Sequence, residues 1–341
     1  MNLTNHQFRL GARPVGLPKR SDWKATEEPV RDPGPGEVLV KVLYLSLDPA
    51  MRGWMNAGRS YIEPVEIGAV MRAGGAGRVI ASGNPAFAVG DHVTGVLGIQ
   101  EYALIGAQSA KVLAKVDPKL LPLPVYLSAL GLTGLTAYFG LLDVGQPKAG
   151  DTVVVSGAAG ATGMVVGQIA KIKGCRAVGI AGGAEKCNYA VKELGYDACI
   201  DYKSQNVADE LRKHCPKGVN VFFDNVGGET LDTVLAQLAR GARVVICGAI
   251  SQYNSTTGIK GPSNYLSLLI NSARMEGFVV FNYAARYPEA IRELAGWMTA
   301  GKLKSKEDIV EGFQTFPETL LKLFRGENFG KLMIKVAEDS N

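Results

Sequence analysis

The pattern of apolar and polar positions divides the chain into two parts. In residues 1–125, short runs rich in β-branched and apolar residues are separated by glycine and proline, which indicates strands joined by turns. The predicted strands lie at residues 37–47, 77–81, 91–97 and 100–105. Many short strands of this kind favour a small barrel over alternating strands and helices.

From residue 150 the pattern changes to alternating strands and helices, which is typical of a parallel sheet. Six strands, the number in a complete dinucleotide-binding sheet, are predicted at residues 151–156, 176–180, 198–201, 219–225, 242–248 and 275–280. Further predictions are helices at residues 126–141 and 288–300 and a strand at 331–336 that rejoins the first part. We therefore expect one domain of residues 1–125 with 305–341 and another of residues 126–304.

The stretch at residues 151–171 is central, because it reads as strand, glycine-rich turn and helix (DTVVVSGAAGATGMVVGQIAK). That order forms the corner of a doubly wound sheet, where backbone N–H groups at a helix N-terminus bind a pyrophosphate. Gly160 lets the backbone approach a phosphate, and Gly163 lets the helix pack closely on the strand. The G-x-G-x-x-G pattern is imperfect, since Ala158 holds its first position. A tight turn in an ordinary α/β domain is the alternative interpretation.

The end of the second predicted strand favours NADPH over NADH. In NAD enzymes this strand ends at an acidic residue that binds the ribose 2′-hydroxyl, whereas here it is followed by small residues, among them Gly183. A carboxylate there would repel a 2′-phosphate, and Lys186 can offer a cation to one. Glu185 is a signal against this interpretation, but we expect it to point elsewhere on the helix. The alternative for Lys186 is an ordinary solvated lysine.

Composition and charge narrow the class of protein. The net charge of +5 is mild and the charges are interspersed, so no basic tract predicts nucleic-acid binding. No apolar run is long enough to span a bilayer and the N-terminal residues lack a signal core, which predicts no membrane association and a cytoplasmic location. The cysteines are predicted to be reduced thiols, mostly buried, because their spacing shows no paired motif: Cys175, Cys187, Cys199, Cys215 and Cys247.

The sequence predicts no metal site. Catalytic zinc needs three protein ligands and an open position, but residues 1–125 contain no cysteine, and His6 and His92 stand alone there. A short-chain dehydrogenase is also disfavoured, since no Y-x-x-x-K motif is present. Without a metal to polarise a carbonyl, reduction of an activated carbon–carbon double bond becomes the better candidate, because a few hydrogen bonds can hold the developing enolate.

Several segments together resemble one family. They lie, in the expected order, at residues 46–53, 158–163, 224–228, 247–253, 274–280 and 327–331. The chain is similar to the zinc-free medium-chain dehydrogenases and reductases, which include leukotriene B4 dehydrogenase (prostaglandin reductase), plant alkenal double-bond reductases and bacterial NADPH-dependent curcumin reductases. Residues 264–269 and the stretch around Tyr61 look closest to the curcumin reductase branch. The plant enzymes carry a tyrosine where this chain has Ala50.

This resemblance implies an α/β fold class with a β-rich GroES-like barrel domain, for substrate and catalysis, and a six-stranded, doubly wound Rossmann sheet that binds NADP. It also implies NADPH contacts at Gly160, Ala161, Thr162, Gly163, Gly183, Lys186, Tyr202, Asn225, Cys247, Ala249, Ile250, Ser251, Tyr253, Phe278, Val279, Val280 and Asn328. Tyr253 matches the tyrosine that meets the substrate carbonyl in relatives, and Tyr61 is a second catalytic candidate. The alternatives are a packed loop tyrosine for Tyr253, a structural tyrosine for Tyr61, and a strand-ending turn at residues 225–228.

The expected reaction is hydride transfer from NADPH to the β-carbon of an enal or enone. An NADPH quinone reductase is the alternative within the same architecture, and an NADPH-binding protein without turnover is the alternative from another class. A homodimer is expected from the resemblance, formed by pairing of the edge strand near residues 275–280.

Overall fold

The computed structural model describes residues 2–339 and contains two compact units. The first unit contains the chain up to Leu127 and again from Glu307, and the second contains Ser128–Lys306. The strands are β1 (Thr4–Leu10), β2 (Trp23–Pro29), β3 (Val38–Ser46), β4 (Gly74–Ser82), β5 (His92–Val96), β6 (Tyr102–Ile105), β7 (Ala114–Val116), β8 (Thr152–Ser156), β9 (Arg176–Ala181), β10 (Ala198–Asp201), β11 (Val219–Asp224), β12 (Leu238–Ile246), β13 (Arg274–Gly277), β14 (Glu307–Glu311) and β15 (Lys331–Lys335).

The helices vary widely in length. They are α1 (Ala50–Trp54), α2 (Leu132–Phe139), α3 (Ala161–Ile172), α4 (Ala184–Lys192), α5 (Val207–His214), α6 (Gly228–Leu235), α7 (Ser267–Ile270), α8 (Tyr287–Thr299) and α9 (Phe316–Arg325). Tighter 3-10 turns cover residues such as Leu123–Leu127, Ser263–Leu266 and Val280–Arg286, and a π-helical turn, Gly140–Gly145, continues α2.

The first unit is built on a mixed sheet. Its strand order is β14-β15-β3-β4-β5-β7, β6 also pairs with β3, and a separate hairpin joins β1 and β2. All of these pairs are antiparallel except β14 with β15. The strand predicted at residues 331–336 is β15 (Lys331–Lys335), which pairs with β3 of this unit. The core buries β3 on both faces together with Phe8, Met51 and Phe316.

The second unit is a six-stranded parallel sheet with the order β10-β9-β8-β11-β12-β13. This is the strand order of a doubly wound dinucleotide-binding fold. All five residues of β8 are buried, because helices cover both faces of such a sheet. The predicted fold class, a β-rich domain with a six-stranded Rossmann sheet, is thus confirmed.

Several predicted element ends were wrong. The last strand of the parallel sheet ends at Gly277, so residues 278–280 follow the strand instead of belonging to it. The helix predicted at 126–141 begins only at Leu132, after Gly131, and the 3-10 turn Leu123–Leu127 precedes it. β12 starts at Leu238, earlier than expected, since the chain passes Gly241 at a φ of 71° and continues the strand across it.

Candidate cofactor-binding and active site

The turn between β8 and α3 has the geometry of a phosphate-binding corner. Gly157 leaves the strand at a φ of 63°, and Gly160 directly precedes α3. A Cβ atom at Gly163 would lie 2.2 Å from the carbonyl oxygen of Gly157, so only glycine allows α3 to approach the turn this closely. The amides of Ala161, Thr162 and Gly163 belong to the first helical turn, where N–H groups have no partner within the helix. This arrangement suits an anionic ligand.

Ala158 occupies the position where the common pattern has glycine, and the neighbouring strand compensates for it. Ala158 is fully buried, and a Cβ atom at Gly179 of β9 would lie 2.7 Å from the Ala158 methyl group. The space that a glycine in the turn would leave free is therefore provided by a glycine in the next strand. Tyr196 also contacts α3, because its hydroxyl donates to the carbonyl oxygen of Gly163 over 2.7 Å.

The chain after β9 is shaped by β10 and the residues that follow it. Tyr202 lies against Gly182, since a Cβ atom there would come within 2.8 Å of its hydroxyl oxygen. Gly183 has a φ of 97° and donates its N–H to the Asp201 carboxylate over 2.7 Å. This contact is the main cause that lowers the pKa of Asp201, with Ser204 and the Lys203 N–H also donating to it. The role of Asp201 was not predicted from the sequence, although a carboxylate at the end of a predicted strand was a signal for it.

Lys186 lies in the first turn of α4 and is half-buried. Glu185 lies one position earlier and is exposed. Tyr202 is 51% exposed, so its ring covers Gly182 on one side and faces solvent on the other. Gly182, Gly183 and Lys186 thus follow the second strand of the sheet, and Tyr202, which follows the third, packs against Gly182.

Asp224, at the end of β11, connects the neighbouring strands. Its carboxylate accepts hydrogen bonds from the Ser156 hydroxyl over 2.7 Å and from the N–H groups of Val226 and Gly227. Asn225 is fixed to Ser156 as well, since its side-chain amide donates to the Ser156 carbonyl over 2.7 Å. Burial raises the pKa of the Asp224 carboxyl in spite of these donors. The positioning roles of Ser156 and Asp224 were not predicted from the sequence.

The segment after β12 folds back onto this network. The N–H groups of Cys247 and Gly248 donate to the carbonyl oxygen of Asp224, and that of Ile250 donates to the carbonyl oxygen of Asn225. The Ser251 hydroxyl donates to the carbonyl oxygen of Val226 over 2.6 Å. Burial and the nearby Asp224 raise the pKa of the Cys247 thiol to about 12, so this thiol stays protonated at neutral pH.

Tyr253 is anchored through its hydroxyl group. The hydroxyl oxygen accepts the N–H of Ala249 over 3.1 Å, and it covers Gly248, where a Cβ atom would come within 2.8 Å of it. The ring is half-buried. The structure thus brings together Asn225, Cys247, Ala249, Ile250, Ser251 and Tyr253, six of the predicted residues, at the carboxyl ends of β11 and β12. Ligands of open α/β sheets bind at this edge.

Residues 278–280 follow the end of β13. The Phe278 ring turns toward the sheet, since a Cβ atom at Gly140 would lie 2.5 Å from it and 2.7 Å from Phe223. Val280 is buried, and its carbonyl oxygen accepts the Tyr287 hydroxyl over 3.1 Å. The aromatic packing fixes the backbone of residues 278–280 just beyond the carboxyl end of the strand.

Tyr61 and Asn328 belong to the first unit. Tyr61 is 54% exposed, and its hydroxyl oxygen accepts the indole N–H of Trp54 over 3.2 Å. Arg72 lies over the Trp54 ring at 5.6 Å and donates to the carbonyl oxygen of Glu63. Asn328 bonds locally, with its amide donating to the carbonyl oxygen of Gly330. Trp54 and Arg72, the partners of Tyr61, were not predicted.

Two residues of the family-like segments form a buried ion pair in the first unit. Lys331 is 2% exposed, and its ammonium group donates to Asp48 Oδ1 over 2.5 Å and to the carbonyl oxygen of Leu47. Ser46 donates to the other carboxylate oxygen over 2.5 Å. These contacts join the segment after β3 to β15. Part of the sequence resemblance therefore comes from residues that hold the fold together and not from residues of the proposed reaction.

Within residues 2–339, no three His, Cys, Asp or Glu side chains are grouped as ligands for a metal ion. Over the same residues, none of the helices combines the length and the apolar character that crossing a membrane requires.

Two family models match the chain. The model described as "N-terminal domain of oxidoreductase" matches residues 6–113, and the one described as "Zinc-binding dehydrogenase" matches residues 161–296. The NADPH-dependent curcumin reductase of Escherichia coli (strain K12) is 42% identical, with 98% of each chain covered. The NADP(+)-dependent 2-alkenal reductase of Nicotiana tabacum is 38% identical, with 99% of each covered.

The chain belongs to the medium-chain dehydrogenase/reductase family. Within this family, the crystal structure of CurA from Vibrio vulnificus in complex with NADPH is 42% identical, with a TM-score of 0.92 over 98% of this chain and 99% of that one. More distant medium-chain members, such as the Escherichia coli quinone oxidoreductase at 21% identity and a TM-score of 0.77, share the fold.

Proposed function

We propose that this protein is an NADPH-dependent reductase of the carbon–carbon double bond of α,β-unsaturated aldehydes and ketones. The observation that carries the proposal is the likeness, over 98% of the chain, to a curcumin reductase that uses NADPH and to a CurA structure that contains it. Curcumin and alkenals share a double bond conjugated to a carbonyl group, so an enone or enal is the common substrate class. Curcumin-like and prostaglandin-like enones are included in the proposal.

The residues of the second unit fit NADPH. The amides of Ala161, Thr162 and Gly163 would hold the pyrophosphate, because the turn before α3 brings the helix N-terminus close without an intervening side chain. Lys186 and Tyr202 would hold the 2′-phosphate, beside the backbone of Gly183.

The nicotinamide half would lie at the carboxyl ends of β11 and β12, against Asn225 and the segment from Cys247 to Tyr253, with backbone groups of residues 278–280 facing the carboxamide. In the first unit, Asn328 is assigned a cofactor contact and Tyr61 a substrate contact. For Tyr61 the support is its 54% exposed ring, fixed in place by the indole of Trp54.

The chain's main chemical task is to orient the substrate and to hold the charge that develops on its oxygen. NADPH, when bound, supplies a hydride from C4 of its nicotinamide ring. Tyr253 donates its hydroxyl proton in a hydrogen bond to the substrate carbonyl, which is strengthened as the oxygen becomes enolate-like. The N–H of Ala249 fixes the Tyr253 oxygen at the required place before the substrate arrives.

A substrate panel tests this assignment against its rivals. The measurement is NADPH oxidation at 340 nm with a medium-chain enal, a medium-chain enone, a curcumin-like dienone and a simple quinone. We expect turnover with the enal and enones and a lower kcat/KM with the quinone. A quinone that is preferred over every enone would favour the quinone reductase, and tight NADPH binding with no oxidation on any compound would favour the non-catalytic protein.

We also propose a homodimer formed at the edge strand β13. All four residues of β13 are exposed, and the preceding α7 exposes Leu269 and Ile270 by 77% and 75%. An exposed strand edge beside apolar side chains suits pairing with a second copy. Sedimentation should show a dimer, and Met275→Lys with Leu269→Lys should give a monomer. Val112→Lys, at a 79% exposed valine of the first unit, should leave the dimer intact, and a monomeric parent protein would refute the proposal.

A cytoplasmic location belongs to the same proposal. The reaction draws on the cell's NADPH pool, and the five cysteines are free thiols, as is usual for proteins of a reducing compartment.

A further inference from the structure

Asp201, at the end of β10, ties the start of α4 to the turn that follows β10. Its Oδ1 atom accepts the N–H of Gly183 over 2.7 Å and that of Lys203 over 3.0 Å. The Ser204 hydroxyl donates to its Oδ2 atom over 2.8 Å. Gly183 directly precedes α4, whereas Lys203 and Ser204 lie in the turn after β10. One carboxylate thus joins two segments that are distant in the sequence.

The ends of β9 and β10 place this hydrogen bond precisely in the fold. Ala181 and Asp201 are partners at the last position of the parallel register. The N–H of Tyr202 then continues the pairing and donates to the carbonyl oxygen of Ala181 over 3.1 Å. Gly183 follows with a φ of 97°, which glycine adopts readily. Two hydrogen bonds, one from each chain segment, therefore fix the end of one segment to the end of the other.

The same arrangement positions the Tyr202 ring. A Cβ atom at Gly182 would lie 2.8 Å from the ring's hydroxyl oxygen and 2.9 Å from two of its carbon atoms, so the ring packs directly on the Gly182 backbone. Tyr202 follows Asp201 in the chain, and Lys186 lies in the first turn of the helix that Gly183 precedes. The two residues assigned to the 2′-phosphate therefore flank the bond between Asp201 and Gly183.

We infer that Asp201 is a positioning residue for the 2′-phosphate of the cofactor and thereby sets the preference for NADPH over NADH. It holds Gly183, and through it the start of α4, so that Lys186 and Tyr202 keep the spacing that a phosphate requires. Asp201 acts only through these residues, because its own negative charge repels a phosphate. This inference rests on the proposed function, since it requires Lys186 and Tyr202 to bind the 2′-phosphate.

The effect is confined to one part of the cofactor. The groups that donate to the Asp201 carboxylate lie at Gly183 and in the turn after β10. The pyrophosphate is assigned to the turn between β8 and α3, and NADH has the same pyrophosphate as NADPH. Loss of the Asp201 carboxylate should therefore weaken NADPH binding and leave NADH binding nearly unchanged. A merely structural role would weaken both.

The first experiment measures the Kd for NADPH and for NADH by titration calorimetry in the parent and in Asp201→Ala. We expect NADPH binding to weaken about five-fold or more, whereas the Kd for NADH should change less than about two-fold. Asp201→Asn keeps an acceptor oxygen for the Gly183 N–H and loses the charge, so it should bind NADPH at least as tightly as the parent. An unchanged ratio of the two Kd values in Asp201→Ala, or an Asp201→Asn protein as weak as Asp201→Ala, would overturn the inference.

Gln205→Ala is the matched control in the same turn. The Gln205 side-chain oxygen accepts the backbone N–H of Asp201 over 2.8 Å, so this change removes a bond of the turn and keeps the carboxylate that holds Gly183. The variant should retain the parent ratio of Kd values. A ratio that changes as much as in Asp201→Ala would assign the preference to the turn as a whole and contradict the inference.

Gly182→Ala tests the same spacing with Asp201 intact, and it decides the question if urea unfolding shows that Asp201→Ala does not fold. The added methyl group would displace the Tyr202 ring, which can turn toward solvent because it is 51% exposed. NADPH binding should weaken about five-fold or more, with little change for NADH. A Gly182→Ala protein with the parent ratio would contradict the inference.

The parent protein separates this inference from the proposed function. A parent that does not bind NADPH refutes the proposed function and the inference together. A parent that prefers NADPH, with the same preference in Asp201→Ala, refutes the inference alone. Both Kd values are measured without substrate, so a lack of turnover with every enone would contradict the proposed reaction while the Kd values still decide the role of Asp201.

Discussion

At the scale of single residues, Asp224 shows how the proposed nicotinamide side of the site is held. Its carboxylate is fully buried and accepts bonds from Ser156, Val226 and Gly227, while its carbonyl oxygen accepts the N–H groups of Cys247 and Gly248. A buried carboxylate without these donors would be costly. These hydrogen bonds therefore fix the segments that follow β11 and β12 relative to the ends of β8 and β11. Tyr253 lies in the second of these segments and is positioned by the same contacts.

Replacing Tyr253 with phenylalanine should slow the reaction while leaving cofactor binding nearly unchanged. Loss of one hydrogen-bond donor to a developing oxyanion commonly costs about 3 kcal/mol, which is about 100-fold in kcat. The measurements are kcat on an enone and the Kd for NADPH. Tyr126→Phe is the matched control, because its hydroxyl donates to the carbonyl oxygen of Asp117 in the first unit. A Tyr253→Phe enzyme with the parent kcat would remove Tyr253 from the mechanism.

Lys186→Ala should weaken NADPH binding about ten-fold or more, since a charge-assisted hydrogen bond to the 2′-phosphate is lost. Binding of NADH, which lacks this phosphate, should change little. Lys192→Ala serves as the control, because Lys192 is an exposed lysine in the last turn of the same helix. Titration of each variant with both cofactors checks the prediction. An equal loss for NADPH and NADH would mean that Lys186 acts through the fold and not through the phosphate.

Glu37 gives a prediction for the pH dependence of stability. Arg31, through two hydrogen bonds, and the N–H of Gly34 lower the pKa of the Glu37 carboxyl to about 2. Because the pKa is lower in the folded chain than its unfolded value of about 4.3, the contribution to stability is present above pH 4.3 and is lost as the pH falls toward 2. Urea unfolding of Glu37→Gln and the parent should differ most at neutral pH. A difference that grows on acidification would contradict this account.

At the scale of elements, the β8-turn-α3 corner depends on close approach between helix and turn. Gly163 lies over the carbonyl oxygen of Gly157, Gly167 lies over the Tyr196 ring, and Gly179 faces Ala158. Each glycine allows a neighbour to occupy the space of a missing side chain. The helix N-terminus is therefore held where its amides can meet a phosphate.

Gly163→Ala should destabilise the protein by about 1–3 kcal/mol, the usual cost of overpacking, and should weaken NADPH binding as α3 moves away. Its Cβ atom would lie 2.2 Å from a backbone oxygen, which cannot move aside as a side chain can. Gly296→Ala in α8 is the matched control, since nothing lies within 4 Å of its Cβ position. That change should raise stability slightly, as alanine favours helix. Chemical unfolding of both variants checks the opposite signs.

The sequence predicts the parallel sheet well, because buried strands such as β8 are continuous apolar runs. It does not reveal β1, because that strand buries polar side chains: Asn5 and Gln7 are 8% and 5% exposed and both bond to Gln100. The alternation of apolar and polar residues does not predict a strand whose buried positions are polar. The end of β13 at Gly277 was also missed, because the Phe278 ring packs into the sheet as a strand residue would.

At the scale of the whole molecule, the fold class and the family could be predicted from the sequence, whereas the supporting contacts could not. Asp201, Ser156 and Asp224 act on the proposed site through hydrogen bonds that depend on the pairing of distant strands. The close packing of Ala158 against Gly179 can be recognised only when the parallel register of β8 and β9 is known. Sequence motifs identify a site, whereas the long-range contacts that position it can be found only in the structure.

The most direct test of the proposed reaction is to locate the hydride in the product. An enone is reduced with NADPH that carries deuterium at C4 on one face of the nicotinamide ring. Each of the two C4 epimers is used in a separate reaction, and each product is examined by NMR. We expect a saturated ketone with deuterium on the β-carbon and an intact carbonyl group for one of the two epimers. Deuterium on the former carbonyl carbon, in an allylic alcohol, would contradict it.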